Sequence, residues 1–291
     1  MKIGIIGGSG LYDLDGIGKI DEVIVETPFG APSDSYMHGM IDGRDLYFLP
    51  RHGKNHSILP SEINHRANIF GFKKLGVECV ISVSAVGSLR EDMRPRDIVL
   101  PDQYFDRTKK SFEHTFFGEG LVAHVGFGEP ACEELRRSIV ASIDRVLSKE
   151  EPRRDLRVRD CGTYVNMEGP AFSTKAESNT YRKLGFDVIG MTSLPEAKLC
   201  REAEICYQNM SMVTDYDCWH ESEDDVTAEA VYAHLTANSN MAKSVLLDLL
   251  PMIPEKRACG CDSALACAIM TQRGIPEEIL KKLEPIVGKY F

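Results

Sequence analysis

The chain has 291 residues, 43% of them hydrophobic, enough for one large domain or two small ones. Its 34 Lys and Arg against 44 Asp and Glu leave a net charge of −10, which argues against an extended polyanion such as DNA as partner. A small phosphate stays possible, because local donors rather than net charge would bind it. No stretch approaches the roughly 20 apolar residues of a membrane span, and Met1-Lys2-Ile3-Gly4-Ile5-Ile6-Gly7 enters a strand-like run without the layout of a signal peptide, so a soluble cytoplasmic protein is expected.

Strand-like runs fall at 2–6, 23–26, 45–49, 79–85, 97–100, 163–167, 188–191 and 205–214. Helical spacing predicts helices over 61–75, 129–148, 174–184, 194–204 and 227–250, the last ending before Pro251. Strands alternating with helices predict an α/β sandwich on a largely parallel or mixed sheet. No linker, internal repeat or low-complexity segment divides the chain. The tail 262–291 reads as two short helices broken at Gly274-Ile275-Pro276.

Several strand ends carry residues suited to an anion. Gly7-Gly8-Ser9-Gly10 offers backbone N–H groups and the Ser9 hydroxyl, though the same glycines would serve a tight structural turn. Its spacing is not that of a dinucleotide fingerprint. Arg51 and His52 end a second strand, the first a planar fork suited to phosphate oxygens. Ser84 with the Ala85 amide ends a third, and Thr192 a fourth. Together they predict one phosphate pocket assembled from distant parts of the chain.

Other residues suit a flat base and a sugar. Phe172, on the turn Glu168-Gly169-Pro170-Ala171-Phe172-Ser173, can stack on a base or face the core, and Met191 can cover a sugar face. Asp215 and Asp217 stand two apart at a strand end, where an extended backbone turns both to one side. Ionised carboxylates accept but do not donate, which favours a 6-amino over a 6-oxo purine. A solvated acidic turn is the bland alternative.

Metal sites find little support. His52 and His56 straddle a glycine turn, and most of the nine cysteines sit in apolar segments as small buried hydrophobes. Cys259-Gly260-Cys261 could be a disulfide, a redox site or two idle thiols, and alone is weak evidence for metal.

Gly7-Gly8-Ser9-Gly10, Arg51-His52-Gly53, Ser84 to Arg90, Glu168 to Ser173, Met191-Thr192 and Thr214-Asp215-Tyr216-Asp217-Cys218-Trp219 occur in an order that resembles the purine nucleoside phosphorylase superfamily. The last motif is similar to its methylthioadenosine phosphorylase branch. The resemblance covers roughly residues 1–253 and implies a three-layer α/β sandwich with a mixed, partly barrel-like sheet. It also implies a phosphorylase domain over 1–254, a C-terminal extension over 255–291, and trimers or dimers of trimers. Carried over by position, Ser9, Arg51, His52, Ser84, Ala85 and Thr192 would hold phosphate. Met191 would cover the ribose, Phe172 the base, and Asp215 would share a proton with the leaving purine beside Asp217. His124 would reach a neighbouring subunit's site, while Ser173, Ala228 and Tyr232 would tune substrate choice. Phosphate is then a co-substrate, and no metal or organic cofactor is implied. Ser9 and Ser84 stand where threonine is frequent in the family, and Tyr232 where an aliphatic residue is common. Cys259-Gly260-Cys261 resembles the Cys-x-Cys of some archaeal and bacterial relatives, where it can form disulfides.

Overall fold

In the computed structural model the described residues are 1–8, 11, 17–149, 156–220 and 228–291, with side chains at all but 111 and 228–232. The strands are β1 (Lys2–Gly7), β2 (Asp21–Val23), β3 (Tyr36–Ile41), β4 (Arg44–Pro50), β5 (Val77–Ser88), β6 (Ile98–Val99), β7 (Gln103–Arg107), β8 (Val158–Arg159), β9 (Thr163–Met167), β10 (Val188–Gly190) and β11 (Cys206–Asp215). The helices are α1 (His65–Lys74), α2 (Glu133–Ser148), α3 (Lys175–Lys183), α4 (Ser193–Glu202), α5 (Ala228–Leu249), α6 (Glu277–Lys282) and α7 (Glu284–Val287).

The strands form one mixed sheet in the order β2-β3-β4-β1-β5-β10-β9-β7, with β11, β6 and β8 branching from β5. Side chains of successive strand residues point to opposite faces, and this alternation builds three layers. Ile3 and Ile5 of β1, Cys79 and Ile81 of β5, and Met210 and Met212 of β11 join α2 and α5 through Ile139, Ile143, Val245 and Leu246. Ile6, Val80 and Tyr207 join α1 and α4 on the other face, through Phe70, Phe72, Ala197 and Leu199. Among the described residues no helix is long and apolar enough to cross a membrane.

The three strands at 36–41, 103–107 and 158–159 were not legible as strands, and 262–272 is no helix. That segment begins in the short helical turn Gly260–Ser263 and goes on through further turns to residue 268, before α6 and α7. The tail still lies on the body of the fold: Leu265, Ile279, Leu283 and Ile286 are buried with α1. Ala123 bridges Ile269, which ties the tail to the 121–124 loop.

β5 positions the site because it changes partners part-way. Its last register partner on β1 pairs Ile6 with Ser82, while β10 joins antiparallel only at Gly87 and Ser88. Between them residues 83–86 keep β11 on one side and open a gap in the sheet on the other.

Candidate active site

Arg51 fills the foot of that gap. It follows β4 directly, its amide donates to Gly7 O (2.9 Å), and its guanidinium donates to Val83 O (3.1 Å) and Ile6 O (3.3 Å). The side chain is 3% exposed and meets fully buried Glu196 of α4 at 2.5 Å. Burial works against the Arg51 charge, but Glu196 more than offsets it and holds the guanidinium above its ordinary value.

Glu196 is held in turn. Its Oε2 accepts from Ser82 Oγ (2.8 Å) and Tyr207 Oη (2.9 Å). Ser193 Oγ lies 2.9 Å from both Tyr207 Oη and Tyr104 Oη. The Asn209 amide donates to Ser82 Oγ and Ser84 Oγ, each at 3.0 Å. This buried chain runs from β7 to the gap and fixes Ser84 and Arg51 in one frame. Strand alternation puts the Ala85 N–H on the edge of β5 that carries the Val83 carbonyl, facing the gap, and Ala85 is exposed there.

Gly8, Arg51, His52, His56, Ser84 and Ala85 line a cavity of about 530 Å³, a size that suits a small ligand. Its opposite wall is α5, through Leu235, Thr236, Ser239, Asn240 and Lys243. Thr192 is buried at the N-cap of α4 rather than on this wall. Ser9 lies outside the described residues, as do the side chains of Ala228 and Tyr232.

His52 is half-buried and donates Nδ1–H to Ile58 O at 2.8 Å, leaving Nε2 for a ligand. Burial, with Arg51 and His56 beside it, pulls the imidazole down to about 4, although the Ile58 carbonyl acts the other way. At neutral pH it is therefore uncharged.

Two residues along β5, Gly87 receives the carboxylate pair. A Cβ there would lie 3.0 Å from Asp215 Oδ1 and 3.2 Å from Asp217 Cβ, so any side chain would crowd the pair. The pair meets through a turn and not through an extended backbone. Asp217 has φ +52°, and its amide donates to Asp215 Oδ1 at 2.8 Å. Thr214 Oγ1 donates to Asp215 Oδ2 at 2.7 Å. Burial raises the Asp217 carboxyl, and the charges of Asp215 and Glu177 add to this.

Cys218 Sγ donates to Ser173 O at 3.2 Å, bringing the 168–173 turn against the pair. Phe172 is 78% exposed, which removes the core-facing alternative for that ring. Met191 is packed against Gly169, where any Cβ would fall 2.6 Å from its sulfur. His124 is exposed and on no wall of the cavity; its amide donates to Ala268 O at 2.8 Å.

Sequence reasoning missed Glu196, Asn209 and the α5 wall. Leu235, Ser239 and Lys243 recur every four residues, one face of a helix, and that spacing was the available signal. Among the described residues one group of metal-ligating side chains stands together, Cys132, Cys206, Cys259 and Cys261, at the end of β11 away from Asp215.

Two outcomes follow from this geometry. Replacing Glu196 with Ala leaves Arg51 buried and unpaired and should cost about 3–5 kcal/mol in denaturant unfolding. For His52, the unfolded imidazole takes its proton near 6.5 and the folded one only near 4. Between these values the unfolded state binds more protons, so stability is lost as the pH falls through the window. His52→Gln should flatten that part of the stability–pH curve relative to the parent, as measured by thermal melts from pH 7 to 4.

A family model for the phosphorylase superfamily matches residues 2–251. The S-methyl-5'-thioadenosine phosphorylase of Koribacter versatilis is 54% identical over 291 residues, spanning 100% of this chain and 97% of that one. The enzyme of the same name from Geobacter sulfurreducens is 51% identical, spanning 99% and 98%. A crystal structure of a methylthioadenosine phosphorylase from an antarctic soil metagenomic library superposes with a TM-score of 0.91 at 41% identity, covering 98% of each chain. That of the Schistosoma mansoni methylthioadenosine phosphorylase with adenine gives 0.83 at 34% identity, covering 94% and 99%. The chain belongs to the phosphorylase superfamily, in the family of the S-methyl-5'-thioadenosine phosphorylases.

Proposed function

We propose that the protein cleaves the N-glycosidic bond of 5'-methylthioadenosine with phosphate, giving adenine and 5-methylthioribose 1-phosphate. The observation that carries this reading is the placement of two subsites on one strand. Ser84 and Ala85 border the cavity beside Arg51 and His52, and Gly87 abuts the Asp215–Asp217 pair. Relatives that span nearly the whole chain and bear the phosphorylase name support the choice of substrate.

Phosphate enters between the Ala85 amide, the Ser84 hydroxyl and His52, with Ser9 and Thr192 completing its ligands, and attacks the anomeric carbon. The sugar passes through a cationic state that the phosphate dianion stabilises. Arg51 acts mainly as a fixed charge and frame, since most of its N–H groups are given to Glu196, Ser82 and main-chain carbonyls. Electrons flow into the purine, and N7 takes a proton from the Asp215 carboxyl, a step that requires Asp215 to carry that proton as the base departs while Asp217 stays ionised. Asp217 accepts from the 6-amino group or steadies Asp215. Phe172 covers the base and Met191 the ribose, while Ser173, Ala228 and Tyr232 bear on substrate choice. No metal or organic cofactor enters these steps.

The same proposal includes a cytoplasmic home and a trimer or dimer of trimers, with 1–254 as the phosphorylase domain and 255–291 as an extension. His124, which is exposed and clear of its own cavity, would reach a neighbouring copy. The second reading is phosphorolysis of 6-oxo purine nucleosides such as methylthioinosine, inosine or guanosine. The carboxylate pair disfavours it, because a 6-oxo group offers it no donor.

Base release from methylthioadenosine, adenosine and methylthioinosine, with and without phosphate, tests the reading. Phosphate-dependent adenine release led by methylthioadenosine is expected. Preference for methylthioinosine would transfer the mechanism to the second substrate class, and release without phosphate would reject phosphorolysis. Asp215→Asn should lower kcat on methylthioadenosine by about 10²-fold or more with a much smaller change in KM. An unchanged kcat would remove Asp215 from the proton path.

A further inference from the structure

Four of the nine cysteines converge although three stretches of chain supply them. Cys132 is the N-cap of α2, Cys206 opens β11, and Cys259 and Cys261 flank Gly260 where the tail begins its first turn. Their sulfurs all lie within 4.8 Å of one another, and Cys206 and Cys259 approach to 3.3 Å. None of the four is in a disulfide.

The fold gathers the four sulfurs into one compact group. A tetrahedral zinc–thiolate site has Zn–S distances of about 2.3 Å, which sets its corners about 3.8 Å apart. Four sulfurs within 4.8 Å of one another are near that size. Positive charge lies beside the group. Cys132 stands at the positive end of a 16-residue helix, and the Arg257 side chain lies against the Cys206 sulfur. Four thiolates around a divalent ion leave two negative charges, and Arg257 offsets part of them.

The geometry points to a tetrathiolate site, built from Cys132, Cys206, Cys259 and Cys261, that holds one thiophilic transition-metal ion, Zn²⁺ by size and donor set. With four protein ligands the ion has no open position, so its role is structural. It sits at the opposite end of the ten-residue strand β11 from Asp215, nine residues or about 30 Å along it. The ion would fasten the start of the 255–291 segment to β11 and α2. That segment then covers α1 and backs the loop that carries His124.

The full-length chain, purified under reducing conditions without chelator, should contain about one zinc per chain by elemental mass spectrometry. The Cys259→Ser/Cys261→Ser double variant should lose it. Cys267→Ser, which changes an exposed cysteine outside the group, should keep it. Iron at the same stoichiometry and with the same dependence would equally support the site. Should the double variant not fold, the parent chain still decides. Stripped of metal and refilled with Co²⁺, it should show the intense visible bands of a tetrahedral cobalt–thiolate centre. A metal-free parent with these cysteines recovered as disulfides would overturn the inference, and so would metal retained by the double variant or absence of the cobalt bands. Stripping should also lower Tm and expose the tail to protease, while adenine release persists below the new Tm.

Discussion

Everything at the site leans on one buried ion pair. Arg51 and Glu196 are 145 residues apart, and neither would be stable in the interior alone. Each accepts burial because the other is there and because Ser82, Tyr207 and two main-chain carbonyls use up nearly all the hydrogen-bonding capacity that remains. The pair fastens the end of β4 to α4 across the gap where β5 passes from β1 to β10. A sheet left open at its centre would otherwise strand polar backbone groups. The charge that closes the gap structurally also sets the potential of the cavity above it.

Much of the fold was legible because its central strands are apolar and its helices begin with recognisable signals. β1, β5 and β11 are long runs of buried residues, and Thr174 with Glu177 forms the capping box that opens α3. The missed strands lack that signature. Tyr36–Ile41 mixes histidine and glycine with methionine, Gln103–Arg107 is largely exposed, and Val158–Arg159 is two residues long. Their structure comes from a neighbour's edge rather than from their own side chains.

At the site the same division holds. Arg51, His52, Ser84 and Ala85 were readable as donors and meet in one cavity, although Ser84 and Ala85 lie within β5, which runs on to Ser88, and not at its end. Glu196 was not, because an acid in the first turn of a helix ordinarily faces water and favours the helix dipole there. Nothing local in Leu194-Pro195-Glu196 names a partner so far away. Asp215 and Asp217 were read to face one side by strand alternation, whereas a left-handed residue and an amide-to-carboxylate bond bring them together. The four gathered cysteines were unreadable for a related reason: metal-ligand spacing is a local pattern, and 53 residues separate Cys206 from Cys259.

β5 carries consequences beyond connectivity. Ala85 and Gly87 are two residues apart on one extended strand, so the anion-binding end and the carboxylate end are separated by about 7 Å of nearly inextensible backbone. The strand therefore works as a ruler graduated in residues. In the proposed reaction that fixed span would set the distance between the attacking phosphate and the carboxylates that meet the leaving base. Side chains around the cavity can drift over evolutionary time, but the gauge changes only by whole residues, and a single added residue would also turn every neighbour to the wrong face.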